Sequence, residues 1–200
     1  MPERSNDIWN EVASAARGVA ALVIGDRRAA SYFDFSDRGL VGSFIAFLVV
    51  ALINTGVPLI LGIPGMSGTV FRAIATVVIV LALQIGAAAI VLRQLKRSDA
   101  LVPYIVADNW ATFFLTIATT ALGLTGIGGE LLLVVTGIVI IIVMVNLARL
   151  ILTLTAWQIV TFLVAQLISG IVALMVLTVV FPLSADQLAE LGAAAASSRP

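Results

Sequence analysis

Apolar residues along this chain gather into five long runs between about residue 39 and residue 182, separated by short polar hinges. A helix needs roughly 20 consecutive apolar residues to span a bilayer core. The pattern therefore predicts membrane-spanning helices at about 39–61, 70–92, 101–123, 130–149 and 157–181. The hinges differ in kind. Gly62-Ile63-Pro64-Gly65-Met66-Ser67-Gly68 is rich in turn formers. Arg93, Lys96, Arg97 and Asp99 make a charged connection, and Gly123, Gly126, Gly128 and Gly129 a glycine-rich one. Residues 150–156 contain neither Gly nor Pro, yet an uninterrupted apolar helix of about 50 residues fits no bilayer. A long, tilted fourth helix running past Arg149 into a tight turn is the expected solution.

Ahead of the first run the period changes. Ile8, Val12, Ala15, Val19 and Leu22 form one stripe, flanked by Trp9, Ala16 and Val23, while Asn6, Asp7, Asn10, Glu11, Ser14 and Arg17 lie mostly opposite. Spacings of three and four mark an amphipathic helix. Two places bury that stripe equally well: the membrane surface, with Trp9 at headgroup depth, or the cytoplasmic face of the protein itself. Gly25-Asp26-Arg27-Arg28 ends the helix. The stretch from Tyr32 to Arg38 interleaves aromatics with charge, as expected of an interfacial anchor, and Ser36 or Asp37 is placed to cap the first span. Residues 1–38 lack the short apolar core of a cleavable secretory signal, so the first span is expected to stay in the membrane. Beyond Phe181-Pro182, Ser184-Ala185-Asp186 reads as a cap for a short helix to Leu191. Asp186 and Glu190 lie on its solvated face, and a flexible Ala/Ser-rich tail follows. The chain thus divides into a cytoplasmic interfacial region (1–38), an all-α five-helix membrane domain (39–182) and a short non-cytoplasmic helix and tail (183–200).

Composition agrees with this reading. Apolar residues are 61% of the chain and charged residues 11%, against about 25% charged in soluble domains, and the mean hydropathy is +1.16. The absence of Cys and His excludes disulfides, thiolate sites and the commonest metal ligand and general base. The eleven basic and eleven acidic residues cancel, but their placement is informative. With the N-terminus inside, nine Lys/Arg fall on the cytoplasmic side and only Arg72 and Arg199 outside. That asymmetry predicts a cytoplasmic N-terminus and a periplasmic C-terminus.

Few polar residues lie within the spans. Asp108 and Asn109 fall early in the third, and Arg149 arrives near the same depth from the fourth. A lone charge near the bilayer centre costs on the order of 3 kcal/mol, and an Asp108–Arg149 ion pair would offset much of that. Such a pair serves either as a staple between antiparallel helices or, with Asn109, as an intramembrane polar site in a carrier. Two residues snorkelling to the interface is the third reading. Asn54, Gln84, Asn146, Gln158 and Gln166 are amides suited to bonding between helices. Thr112, Thr116 and Thr120 recur every four residues, as do Ala165, Ser169 and Ala173. Such stripes permit close helix contact, within the bundle or in a dimer face.

No catalytic constellation is present. Gly126, Gly128 and Gly129 lack the strand-to-helix context of a phosphate loop, Lys96 is the only lysine, and no acidic pair shares a span. No enzymatic activity, cofactor or metal is expected. The expected partners are membrane lipids and protein, as a homo-oligomer or within a larger membrane complex, and not nucleic acid. No internal repeat is evident, which argues against an inverted-repeat transporter.

The layout of a polar cytoplasmic N-terminus followed by five close spans resembles the Yip1-type membrane proteins and their bacterial relatives. Tyr32-Phe33-Asp34-Phe35-Ser36, Tyr104-Ile105-Val106-Ala107-Asp108-Asn109-Trp110-Ala111 and Ala148-Arg149-Leu150 are similar to segments of a group of small, uncharacterised alphaproteobacterial membrane proteins. The resemblance implies a bacterial inner-membrane protein concerned with membrane organisation rather than catalysis. The sequence thus favours a non-enzymatic membrane protein acting through helix packing and partner or lipid contact, with Ala165, Ser169 and Ala173 as its packing face. The alternative is a small transporter or channel component built on Asp108, Asn109 and Arg149.

Overall fold

A computed structural model describes the backbone over residues 3–60, 70–126 and 129–182, and the side chains over 8–53, at 72, and over 74–126 and 129–182. The turn-rich 62–68 loop, the short C-terminal helix and the tail lie outside the described residues. So does the side chain of Asn54. Among the described residues six α-helices carry the fold: α1 (Glu3–Ile24), α2 (Asp37–Ile60), α3 (Val70–Gln94), α4 (Leu101–Leu124), α5 (Gly129–Asn146) and α6 (Ala156–Val180). No strand occurs among the described residues. Among the described residues four stretches are long and apolar enough to cross a membrane: Ile74–Gln94, Ser98–Leu124, Gly129–Ile151 and Ala156–Val180. The first expected span falls on α2, whose side chains from residue 54 onward lie outside the described ones. Large apolar side chains stand exposed along α5 and α6, from Leu131 to Ile141 and from Trp157 to Val179. A water-facing surface does not tolerate that much contiguous apolar area.

The ends of the elements follow local chemistry. Ser36 caps α2: its hydroxyl accepts from the Gly39 backbone N–H at 3.4 Å, and Asp34 Oδ1 holds the Ser36 N–H at 2.9 Å. Helices α1 and α3 close in the same left-handed way. Gly25 (φ +75°) and Lys96 (φ +57°) turn the chain, and the next backbone N–H returns to Ala21 O and to Leu92 O, each at 2.8 Å. Glycine adopts that conformation freely; lysine does so at a cost.

The α5–α6 connection is a single π-helical turn, Leu147–Ile151, followed by Thr153 at φ +50°. Thr155 then starts α6 with a capping box, its N–H donating to Gln158 Oε1 at 2.9 Å. Gln158 is therefore a cap and not an interhelical amide. Arg97 secures the strained Thr153, donating to its carbonyl at 3.3 Å and to its hydroxyl at 2.9 Å. The turn itself is core: Leu147, Ala148, Leu152 and Leu154 are all buried.

In the bundle α2 packs chiefly on α4 and α3 on α6, while α5 lies against α4 and α1. Burial concentrates at the end where α1, the start of α4 and the α5–α6 turn meet, around Leu22, Leu92, Tyr104, Val106 and Leu147. Helix α1 turns Ala15, Val19 and Leu22 into this core and leaves Ile8 and Trp9 exposed. Asn146 ties it down, donating to the Leu22 carbonyl at 2.7 Å, so this amide bonds to α1 rather than to another span. Phe33 is likewise core: buried, it lies so close over Gly18 that an added Cβ would sit 2.6 Å from its ring. The expected interfacial anchor is thus part of the protein's own packing.

At the opposite end Arg72 places its guanidinium 5.3 Å from the Phe181 ring centroid and donates to the Phe181 carbonyl at 3.4 Å. This satisfies a free carbonyl at the C-terminus of α6. The small-residue stripe on α6 is spent inside the bundle. Ser169 and Ala173 are buried; Ser169 and Ala165 line the seam against α3, where Gln166 donates to the Gln84 carbonyl at 3.4 Å. Of the two uses open to this stripe, packing within the bundle is the one seen for Ser169, which lies on the α3 side of α6.

Candidate functional site

The first half of α4 carries the polar residues of interest, and consecutive positions point about 100° apart on a helix. Asn109 is buried and faces α2, donating from Nδ2 to Ser43 Oγ at 3.1 Å. Ser43 passes its own proton to the Leu40 carbonyl at 2.8 Å. The amide and hydroxyl thus satisfy each other where α2 and α4 meet. Trp110 and Tyr104 complete the packing of this segment. Tyr104 meets Phe162 edge-on at 5.2 Å, and Trp110 stacks beside Phe114 at 5.9 Å.

Asp108 faces the other way. It borders a cavity of about 170 Å³ between α4 and α5, whose polar lining also includes Thr112, Thr116, Thr119 and Thr136. Asp108, Thr112 and Thr116 are spaced four apart, so one face of α4 carries the carboxylate and then a ladder of hydroxyls. Thr119 spends its proton on the Leu115 and Thr116 carbonyls at 2.8 and 3.1 Å, which leaves its oxygen lone pairs as acceptors. Ile140, Val143 and Met144 close the far wall.

The expected ion pair is not formed. Arg149 sits in the π-helical turn with its side chain exposed, whereas Asp108 opens into the cavity. Asp108 makes no ion pair or hydrogen bond with any described residue. The reason is local: the π-helical turn rotates Arg149 out of the seam while Leu147 and Ala148 take the buried positions. Of the three residues grouped from sequence, Asn109 serves packing, Arg149 faces outward, and Asp108 alone borders the cavity. Thr119 and Thr136 are the site residues that sequence reasoning missed. Thr112 and Thr116 were seen as a packing stripe, although their register with Asp108 already placed all three on one face.

Asp108 lies ten residues into the Ser98–Leu124 stretch, roughly 15 Å along the axis from its first residue, and is the eighth residue of α4. Among the described residues no group of three or more acidic residues gathers, so the site presents one carboxylate and neutral oxygens. Such a set suits one positive charge better than two. Comparison with family models, with curated proteins and with solved structures finds no match for this chain.

Proposed function

We propose that this is a multi-pass, non-enzymatic membrane protein that binds a small monovalent cation, inorganic or ammonium, at Asp108, as a carrier or channel component. The observation that carries the reading is the carboxylate itself. It lies about a third of the way along α4 in a membrane-crossing stretch, has no counter-charge among the described residues, and faces a cavity lined by threonine hydroxyls. Ionisable groups at such depth are costly and mark ion or substrate paths by default. A bound cation would supply the compensation that Arg149 does not.

In this reading α2 also crosses the membrane, giving five spans in a bacterial inner membrane with the N-terminus inside. The basic residues support that orientation. Arg97 reaches the α5–α6 turn that carries Arg149, and the short turn Ala29–Tyr32 just after Arg27 and Arg28 packs against the same element, so these cations gather at one end. A second reading, membrane organisation through lipid contact, is favoured by the exposed Ile8 and Trp9 on α1.

The test is thermal melting of the purified protein in lithium, sodium, potassium and ammonium chloride at fixed ionic strength, followed by flux into proteoliposomes. One cation is expected to raise the melting temperature of the wild type and not of Asp108→Asn. Equal melting in all four salts, or selectivity that survives Asp108→Asn, would overturn the proposal.

A further inference from the structure

At the junction of α1 and α2 two cavities adjoin and share a single residue, Glu11. The first, of about 310 Å³, is polar and lined by Glu11, Ser14, Ser31, Asp34 and Arg38 with the ring of Tyr32. The second, of about 190 Å³, is apolar and lined by Ile8, Val12, Ile45, Val49, Trp110 and Phe113. Glycine at position 42 makes room for the shared carboxylate, since a Cβ there would collide with Glu11 Oε1. That oxygen is buried and accepts no hydrogen bond from any described group.

The site has the polarity of an amphiphile and the right orientation for one. Ser36 starts α2, and Ile45 and Val49 lie roughly 14 to 20 Å further along its axis. The polar cavity therefore sits level with the start of the span and the apolar groove runs inward from it. Among the described residues lining it, two carboxylates, Glu11 and Asp34, face the guanidinium of Arg38, a balance that favours a ligand with a cationic terminus and an adjoining anionic group over a purely anionic one. The buried Glu11 oxygen needs an N–H donor. A primary ammonium offers three, whereas a trimethylammonium offers none.

We propose that this junction binds one phospholipid of the ethanolamine type, its ammonium between Glu11 and Asp34, its phosphate at Arg38, and one acyl chain in the groove beside Ile45 and Val49. The inference goes beyond the cation site at Asp108 and is independent of it. It rests only on α2 entering the bilayer near Ser36.

The experiment is native mass spectrometry of the protein released from vesicles of equimolar dioleoyl phosphatidylethanolamine, phosphatidylcholine and phosphatidylglycerol. One ethanolamine lipid is expected to be retained over choline lipid by roughly tenfold, the factor that one charge-assisted hydrogen bond provides. Glu11→Gln is expected to reduce that preference to about twofold or less, and Asp108→Asn to leave it unchanged. Ile45→Trp fills the groove and is expected to abolish retention of the lipid. Equal retention of ethanolamine and choline lipids overturns the proposal, as does an undiminished preference in Glu11→Gln. Displacement of the lipid by soluble phosphoethanolamine at equal concentration would show that the chain contributes nothing, and would overturn the lipid assignment in favour of a free amine. Intact melting of Glu11→Gln separates loss of binding from loss of fold.

Discussion

Asp108 and Asn109 are adjacent in the chain yet belong to opposite seams. Asn109 reaches Ser43 at 3.1 Å across α2 and α4, while Asp108 borders the cavity between α4 and α5. Polarity at neighbouring positions thus divides between a hydrogen bond across one seam and the wall of a cavity in another.

The division makes the two substitutions distinguishable. Asn109→Ala removes a buried interhelical bond and leaves the Ser43 hydroxyl with only its bond to the Leu40 carbonyl, so it is expected to destabilise the bundle by about 1–2 kcal/mol. Asp108→Asn removes a charge that has no partner among the described residues, and in cation-free buffer it is expected to melt at or above the wild-type temperature. A large destabilisation by Asp108→Asn in those conditions would mean that the carboxylate holds the fold together.

Gly18 and Phe33 fix how the chain turns back from α1 toward α2. Gly18→Ala sets a Cβ 2.6 to 3.0 Å from three ring carbons of a buried phenylalanine, and overpacking of this kind costs about 1–3 kcal/mol. Shortening the ring in Phe33→Leu is expected to restore part of that loss in the double variant. Thermal melting of both single variants and the double one reads the coupling directly; simple additivity would show that the two residues do not touch.

Glu11 gives acid stability an unusual slope. Burial, and then the Asp34 charge, raise its pKa above the ordinary 4.5, with Arg38 opposing. The folded protein therefore holds this proton more tightly than the unfolded chain. The stability it contributes is full below pH 4.5 and is lost as the pH rises from there through the raised folded value. Asp34 slopes the other way. Hydrogen bonds from Ser36, the backbone one foremost, hold its carboxyl below 3.8, so its contribution is present above 3.8 and lost as the pH falls through the folded value. The melting temperature of the wild type minus that of Glu11→Gln is expected to fall as pH rises over the range from about 4 to 7. A difference that is flat or rises with pH would contradict the buried carboxylate.

Much of this architecture was legible in the spacing of apolar residues, and the exceptions have physical causes. Helix positions followed the apolar runs, and the Ser36 cap followed from residue type. The end of α1 was marked by Gly25, but the equivalent end of α3 falls on Lys96, a residue without such a preference. The break between α5 and α6 was hidden because its polar groups are satisfied locally in a buried π-helical turn, with no Gly or Pro required. Its one signature was Thr155-Ala156-Trp157-Gln158, a capping-box pattern inside an apolar run. Ala165 and Ser169 were identifiable as a packing stripe, but which surface they met depended on α3, some 80 to 90 residues earlier. The site at Asp108 was half visible. The register with Thr112 and Thr116 was present, whereas the rotation of Arg149 out of the seam depended on the turn that sequence does not reveal.

The bond from Asn146 to the Leu22 carbonyl spans 124 residues, and the two ends leave the ribosome far apart in time. At synthesis rates of about 5–20 residues per second, the Leu22 segment waits roughly 6 to 25 seconds for its partner. Through that interval α1 can already pack on Phe33 and on α4, but the side that α5 covers stays open. The Asn146 bond therefore reports that α5 has arrived. A chain stalled or cut before that helix would leave the Leu22 carbonyl without its donor, open to whatever surveys unfinished membrane proteins.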